Sequence, residues 1–159
     1  MADEPVSAAD LQRFRLFAGQ ADADLGGLAA SARRTRLPDR EVLVHRGERS
    51  TDVWLVVGGR IALSMEHEGR SVLVMTLGPG DMLGWSTLRD DPAALTTARC
   101  VGATELIAIP ANRLRDALTD CTPMAHTLVR RLLEIAAADL EATRVQLLRV
   151  GREGVITAG

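Results

Sequence analysis

The pattern of hydrophobic and polar positions along the chain changes twice. Apolar residues recur at helical spacing in the first part, form short runs between glycine-containing turns in the middle, and return to helical spacing afterwards. The predicted segments are N-terminal helices in 1–34, a β-roll in 35–109, C-terminal helices in 110–150 and a tail in 151–159. This order predicts a mainly β protein with flanking helices. Its strands should close into an antiparallel jelly roll, because open sheet edges would be left unpaired.

Five apolar runs of the middle segment predict strands, and the residues between them predict turns. The runs are 42–44, 53–57, 61–65, 72–77 and 106–109. The pair Gly58-Gly59 is expected to join two of these strands in a hairpin, and the tip of a second hairpin is expected at 66–70. Short strands at this spacing are typical of a roll or barrel.

The flanking segments carry start and stop signals for helices. Gly19 separates two predicted N-terminal helices, the second of which is capped by Asp22 or Asp24. This segment holds both Phe residues of the chain and is expected to dock as a lid on the roll. After the roll, Pro110 suits the first turn of a short amphipathic helix over 112–118.

The longest predicted helix begins at Thr122, which caps it ahead of Pro123, and ends at the glycines that follow Val150. Its apolar residues alternate steps of four and three along one face, which is a heptad seam: Val129, Leu133, Ala136, Leu140, Thr143, Leu147 and Val150. A second apolar stripe stops at Asp139. The seam favours a parallel homodimer through this helix over a monomer in which every apolar face lies in the core.

Composition and charge exclude several classes of partner. The 21 acidic residues nearly balance the 19 basic ones, all arginine and spread along the chain, so no basic patch indicates nucleic acid or membrane. The chain begins without a signal-peptide pattern and holds no apolar run of membrane-spanning length, so we expect a cytoplasmic protein. Cys100 and Cys121 form no C-x-x-C pattern and are expected to be buried free thiols, with a redox pair as the alternative.

Three motifs resemble those of a known family. HRGERSTDVWLVVGGRIALS is similar to the glycine-marked turns of cyclic-nucleotide-binding domains, LGPGDMLGWSTL to the start of their phosphate-binding cassette, and TTARCVGATELIAIPANRL to the strands and helix after it. The chain resembles stand-alone bacterial members of the catabolite-activator/Fnr superfamily that have no helix-turn-helix domain. The resemblance implies a non-enzymatic regulatory sensor with an internal ligand pocket and a dimerising last helix.

The cassette, residues 78–100, departs from the family at two places. Trp85 stands where the family has a Glu for the ribose hydroxyl, and Ala94 or Leu95 where an Arg pairs with the cyclic phosphate. A charge-assisted bond is worth roughly 1.5–3 kcal/mol, so binding of cyclic AMP or cyclic GMP in the family's mode is disfavoured. The alternative cation, Arg89, is expected to be a solvated loop charge. The glycines of the cassette are kept, and its turn is expected to present exposed backbone amides.

The resemblance implies a degenerate ligand pocket built from this cassette. Its predicted residues are Met82, Leu83, Gly84, Trp85, Ser86, Thr87, Leu88, Ala94, Leu95, Thr96 and Thr97. The neutral hydroxyls among them suit an uncharged or weakly polar ligand better than a phosphate. Trp85 either fills space that a sugar would occupy or stacks on a different ligand.

Two functions remain open. The first is a dimeric sensor that passes its state to a protein partner through the last helix, with an unknown small-molecule ligand and no certain cofactor. The second is a ligand-free scaffold or adaptor dimer, and a divergent cyclic-nucleotide binder is a disfavoured third. Only GREGVITAG follows the last helix, so direct DNA binding is not expected. His45, His67 and His126 lack metal-site spacing, haem ligation by His126 stays open, and no catalytic residues are identified.

Overall fold

The computed structural model describes the backbone of residues 4–154 and the side chains of residues 4–149. The helices and strands in chain order are β1 Glu4–Pro5, α1 Ala8–Gln12, α2 Asp22–Ser31, β2 Arg33–Leu37, β3 Val42–Val44, β4 Asp52–His67, β5 Arg70–Leu77, β6 Met82–Leu83, β7 Thr97–Pro110, α3 Ala111–Thr119 and α4 Pro123–Gly154. A 3-10 turn, Trp85–Leu88, follows β6. Part of the predicted tail, 155–159, lies outside the described residues.

The strands form one antiparallel seven-stranded sheet, which confirms the predicted jelly roll with flanking helices. Its hydrogen-bonded order is β1-β2-β7-β4-β5, with β3 added to β7 and β6 added to β4. The two longest strands, β4 and β7, pair along most of their length and form the centre of the roll. The cassette lies between β5 and β7, so its conformation is held at both ends by this sheet.

The prediction that Gly58-Gly59 is a hairpin turn is wrong. Strand β4 runs straight through both glycines for 16 residues, and its register with β7 shifts on either side of Gly58. Gly59 has φ +80°, and a Cβ there would lie 2.6 Å from the carbonyl oxygen of Ala103. The pair is therefore a bulge that lets two strands approach closely. The second hairpin forms at the predicted place, with a turn at Glu68-Gly69.

Helix starts and ends follow the sequence signals in part. Thr122 caps α4 as predicted, because its hydroxyl accepts a hydrogen bond from the N–H of Ala125 at 3.1 Å. Asp22 and Asp24 do not cap α2; both lie in its first turn, where acidic side chains favour the helix dipole. Helix α4 also continues through Gly151 to Gly154 instead of ending near residue 150. The neighbouring residues Arg152 and Glu153 favour helix, and they outweigh the low helix propensity of Gly151 near the end of a long helix.

Two hydrophobic clusters hold the fold together. The larger one joins the N-terminal helices, α3 and the start of α4 to one side of the sheet, and buries Phe17, Leu25 and Leu128 completely. The smaller one lies inside the roll around Ile61 and Leu106. Cys100 belongs to the inner cluster, whereas Cys121 is exposed, so the expectation of two buried thiols is wrong for Cys121. Cys121 precedes the first turn of α4, where solvent reaches the chain.

Candidate ligand site

A cavity of about 280 Å³ lies between the roll, the cassette and helix α4. Its wall combines side chains from β3 to β7 with four residues from one side of α4. The lining residues are Val44, Ser50, Trp54, Leu63, Val74, Met75, Met82, Leu83, Gly84, Trp85, Ser86, Thr87, Ala94, Leu95, Thr96, Ala98, Ala136, Asp139, Leu140 and Thr143. Most of this surface is apolar, and both tryptophans of the chain contribute to it. A concave apolar site with a few polar groups is the usual form of a small-molecule pocket.

The cassette backbone has the frame that its glycines predict. Strand β6 pairs with β4 through Leu83 and Trp54, and Gly84 then turns the chain into the 3-10 turn with φ +85°. A Cβ at Gly84 would lie 2.9 Å from the carbonyl oxygen of Asp52, so the left-handed turn and the close approach both require glycine. This turn places Trp85, Ser86 and the next residues against the cavity.

Several amides of the cassette are already bonded within the protein, which corrects the expectation of exposed amides at these positions. Gly78 donates to the side chain of Asp81 at 2.9 Å, and Gly80 donates to the carbonyl oxygen of Val56 at 2.9 Å. Thr87 donates to the carbonyl oxygen of Gly84 at 2.9 Å. Backbone groups that pair internally are not available to bind an anion, so this frame stabilises the loop.

The structure brings most of the predicted pocket residues to the cavity and leaves two of them outside. Leu88 packs against the larger hydrophobic cluster. Thr97 lies at the start of β7, and its hydroxyl accepts a hydrogen bond from the N–H of Arg46 at 3.0 Å. The strand residues Val44, Trp54 and Met75 line the cavity without having been predicted, because alternation along a strand does not say which face encloses a cavity.

The places that the resemblance assigns to the phosphate-binding Arg hold no charge. Ala94 is 8% exposed, and its backbone N–H and carbonyl pair with Glu48 and Gly47, while Leu95 is half-exposed at the cavity edge. The guanidinium of Arg89 donates to the carbonyl oxygens of Ser86 and Ala93 and does not line the cavity. Among the described residues, no arginine or histidine side chain lines this cavity.

The charged group that does line the cavity is a carboxylate from helix α4. Asp139 accepts a hydrogen bond from the indole Nε1–H of Trp85 at 2.9 Å. Burial raises the pKa of Asp139, the Trp85 hydrogen bond lowers it, and the negative charge of Asp81 adds to the increase. In the described part of the chain, no ion pair includes Asp139. Asp139 is not among the pocket residues predicted from the sequence, where the available signal was an acid that interrupts an apolar stripe.

Comparison with known proteins agrees with this architecture. A sequence profile of the cyclic nucleotide-binding domain matches residues 34–121, more than half of the chain. The chain belongs to the cyclic nucleotide-binding domain family.

Individual members of the family differ widely from the chain in sequence. It is 28% identical over 131 residues to the cyclic AMP receptor protein of Thermus thermophilus, over 79% of this chain and 59% of that protein. The chain therefore spans less than two thirds of that relative. A cyclic nucleotide-binding domain from Methylobacillus flagellatus is similar with a TM-score of 0.79 at 13% identity, over 93% and 88% of the two chains. The sensor domain of the transcriptional regulator DNR from Pseudomonas aeruginosa has a TM-score of 0.69 at 20% identity, over 80% and 91%. These two likenesses show the shared fold.

The predicted heptad seam of α4 divides between solvent and the cavity of this family member. Val129, Leu133 and Leu147 are 50%, 70% and 65% exposed. Ala136 and Thr143 are half-buried and line the cavity together with Leu140, which is itself 51% exposed. The side chain of Val150, the last predicted seam residue, lies outside the described side chains. One helix face thus contributes both to the cavity wall and to an exposed apolar surface.

The described residues give little support for a metal site or for a haem ligand in the cavity. No group of three His, Cys, Asp or Glu side chains within residues 4–154 is arranged to hold a metal ion. His126 is exposed near the start of α4 and does not line the cavity. Over the same residues, no helix is both long and apolar enough to cross a bilayer.

Proposed function

We propose that this chain is a small-molecule-sensing regulatory module whose cavity does not bind cyclic AMP or cyclic GMP in the family's usual mode. The observation that carries the proposal is the charge of the cavity: a carboxylate lines it, and the place of the phosphate-binding Arg holds Ala94 or Leu95. A cyclic phosphate in this cavity would lack a counter-ion and would share a low-dielectric space with a carboxylate.

The size of this penalty decides against the usual mode of binding. Loss of one charge-assisted hydrogen bond costs roughly 1.5–3 kcal/mol, which is about one to two decades of affinity. Repulsion between the phosphate and Asp139 adds to that loss, because like charges in a partly buried site are poorly screened. Trp85 removes a further contact, since an indole cannot accept a hydrogen bond from a ribose hydroxyl as a carboxylate does.

Helix α4 offers the route by which a bound ligand would change the surface of the molecule. Four of its residues form part of the cavity wall, and the Trp85–Asp139 hydrogen bond ties it to the cassette. Farther along, the side chain of Gln146 donates to the carbonyl oxygen of Leu73 on β5 at 2.9 Å. A ligand that contacts Asp139 and the other cavity-lining residues of α4 would therefore change the position of this helix against the roll, and a protein partner would bind α4 according to that position.

A second copy of the chain is the partner that the heptad seam fits best. Its residues follow a repeat of seven and are largely exposed, and this pattern requires a facing helix with the same repeat. In a parallel pair, Arg144 of the second copy would lie at the flanking position opposite Asp139, but the carboxylate of Asp139 bonds Trp85 in the cavity wall, so we expect no ion pair between them. Sedimentation analysis tests this: Leu133→Asp should give monomers, whereas Val145→Asp, an exposed apolar position on the side of the helix away from the seam, should not. A native monomer would contradict the dimer.

Thermal-shift measurements and mass spectrometry test the sensor function together. Cyclic AMP and cyclic GMP at about 1 mM should leave the melting temperature unchanged, because a ligand stabilises only in proportion to its occupancy. A small molecule co-purified with the native chain should be lost from Ala94→Phe, which fills the cavity, and retained by Ala93→Phe, whose position does not line it. If neither the native chain nor the control carries or responds to any small molecule, the ligand-free scaffold becomes the better proposal.

A further inference from the structure

We propose that the cavity binds a small organic cation, an amine carried on an apolar body, whose charge pairs with Asp139. This inference rests on the proposed function, since it names the chemical class of the ligand for the same cavity. Three properties of the cavity support it: its negative charge, its unused hydrogen-bond acceptors and its aromatic surface.

The carboxylate of Asp139 is held in the wall without a cationic partner among the described residues. Asp81, on the turn before β6, is negative and makes its surroundings still less favourable to an anion. Arg15 and Asp139 both line a neighbouring cavity, but the guanidinium of Arg15 is engaged by Glu134 at 2.7 Å. A partly buried carboxylate in such surroundings gains from a cation that enters the cavity.

Trp85 leaves most of the acceptor capacity of this carboxylate unused. An ionised carboxylate offers about four acceptor positions, whereas an indole supplies one N–H donor. That donor reaches Oδ2 of Asp139 at 2.9 Å. A protonated amine has two or three donors, so it can bind Asp139 while Trp85 keeps its own hydrogen bond. Trp85 thus orients the carboxylate toward the cavity and does not need to leave it.

The rest of the wall suits the apolar body of an amine and the diffuse charge of its head. Trp54 and Trp85 bring two indole rings to one small cavity, with Met75 and Met82 beside them. Indole rings attract cations, and thioethers adapt to irregular ligands. Trp54 already has this kind of contact on the protein side, because the guanidinium of Arg33 lies 5.7 Å from its ring centroid.

Three ligands test the proposal: phenethylamine, 2-phenylethanol and phenylacetate. Each has a phenyl ring on a short chain, and at pH 7 they are cationic, neutral and anionic, respectively. Titration of the native full-length chain at pH 7, followed by the fluorescence of its two tryptophans, measures each affinity. The amine should bind roughly tenfold or more tightly than the alcohol, as a charged hydrogen bond and a cation–π contact predict. Phenylacetate should bind more weakly than the alcohol, because its carboxylate meets Asp139.

Asp139→Asn is the decisive variant, since the amide oxygen can still accept the Trp85 hydrogen bond. In this variant the preference for the amine should shrink to the small part that the cation–π contact supplies, while the alcohol keeps its native affinity. In the native chain the preference for the amine should fall as pH is lowered through the raised pKa of Asp139. Asp81 adds negative charge near this carboxylate, and Arg15 lines the neighbouring cavity with it. Asp81→Asn and Arg15→Met therefore serve as controls, and both should keep most of the preference.

Several results would overturn the inference without touching the proposed function. Equal affinity of the native chain for amine and alcohol, tighter binding of phenylacetate, or a preference that is undiminished in Asp139→Asn would each show that the carboxylate does not select a cation. The inference would also be overturned if Arg144→Met changes the titration of Asp139 and added amine does not. The cation that pairs with Asp139 would then be Arg144 of a second copy. Absence of a response to all three probes also counts against the amine, while the co-purification experiment decides separately whether the cavity holds any ligand.

Discussion

Carboxylates occupy two regions of this molecule under opposite electrostatic conditions. Where α1 meets β2 and β7, Arg34 donates to Asp10 at 2.7 Å and to Glu105 at 2.8 Å. Hydrogen bonds from Ser7 and the charge of Arg34 hold the pKa of Asp10 below its ordinary value, and Arg34 does the same for Glu105. At the cavity, Asp139 has an indole as its donor, and burial raises its pKa.

Under the proposed function, the difference separates charges that stabilise the fold from a charge that binds a ligand. The Arg34 cluster is complete within the chain, so its stabilisation does not depend on any further molecule. Ionised Asp139 destabilises the fold, because burial disfavours its charge. Its position in a cavity wall is typical of functional sites, where residues that bind a ligand often lower the stability of the protein. The following predictions test this contrast, beginning with the largest effect.

Removal of the shared cation should destabilise the fold most. Arg34→Met leaves Asp10 and Glu105 with no common partner; the Arg34 side chain is 17% exposed and each carboxylate side chain 24%. We expect the free energy of unfolding to fall by about 2 kcal/mol, measured by urea titration. The matched control is Arg15→Met, which breaks an ion pair whose side chains are 67% and 44% exposed. That change should cost less than about 0.5 kcal/mol, and equal losses would contradict the contrast.

A cation introduced into the cavity should make the two regions alike. Ala94 is buried in the cavity wall, and Ala94→Arg supplies a guanidinium to the space that Asp139 faces. Asp139 should ionise at lower pH in Ala94→Arg than in the uncharged Ala94→Met, because the new cation stabilises its charged form. Tryptophan fluorescence followed against pH in both variants measures this ionisation, since Trp85 is bonded to Asp139. An unchanged pH profile would mean that the two side chains do not share one site.

Neutralising Asp139 should have a smaller effect on stability, and in the favourable direction. Because burial disfavours its ionised form, Asp139→Asn should raise the melting temperature at pH 7 by a few degrees at most, roughly what 0.5–1 kcal/mol gives in a chain of this size. Asp116→Asn, on the exposed face of α3, is the control and should leave it unchanged. A lower melting temperature for Asp139→Asn would indicate that the carboxylate already has a cation in the native protein.

The two regions should also respond oppositely to acid. The pKa values of Asp10 and Glu105 are lowered in the fold, so their stabilisation is present above the ordinary values of 3.8 and 4.5 and is lost as pH falls through the lowered ones. The raised pKa of Asp139 has the reverse sign, and its ionisation costs stability as pH rises above 3.8. The stability gain of Asp139→Asn should therefore grow from pH 4 to pH 7, while the loss in Arg34→Met should shrink below pH 4. Urea titrations across this range measure both slopes.

Sequence patterns predicted the fold more completely than the site. Alternating apolar runs, the hairpin at 66–70 and the Thr122 cap are local signals, and each is set by neighbours in the chain. Gly59 was misjudged because a turn and a bulge both need a left-handed glycine, and only the contact with Ala103 in another strand separates them. Cys121 was placed in the core by composition, although exposure depends on how two helices meet.

The cavity charge depended on contacts that are distant in sequence. Trp85 and Asp139 are 54 residues apart, and no spacing rule links a cassette residue to the middle of a later helix. Comparison with the family motif shows Ala94 or Leu95 in the place of the Arg. The sequence was therefore enough to predict that the cavity binds a cyclic phosphate poorly. Only the tertiary structure shows that the charged side chain in the cavity wall is Asp139.

Titration of the native chain with cyclic AMP tests the central claim most directly, because Trp54 and Trp85 both line the cavity and report on its occupancy. We expect no saturable fluorescence change up to about 1 mM, after a loss of roughly two decades or more in affinity. Saturable binding in the micromolar range that Ala94→Phe abolishes and Ala93→Phe preserves would contradict it.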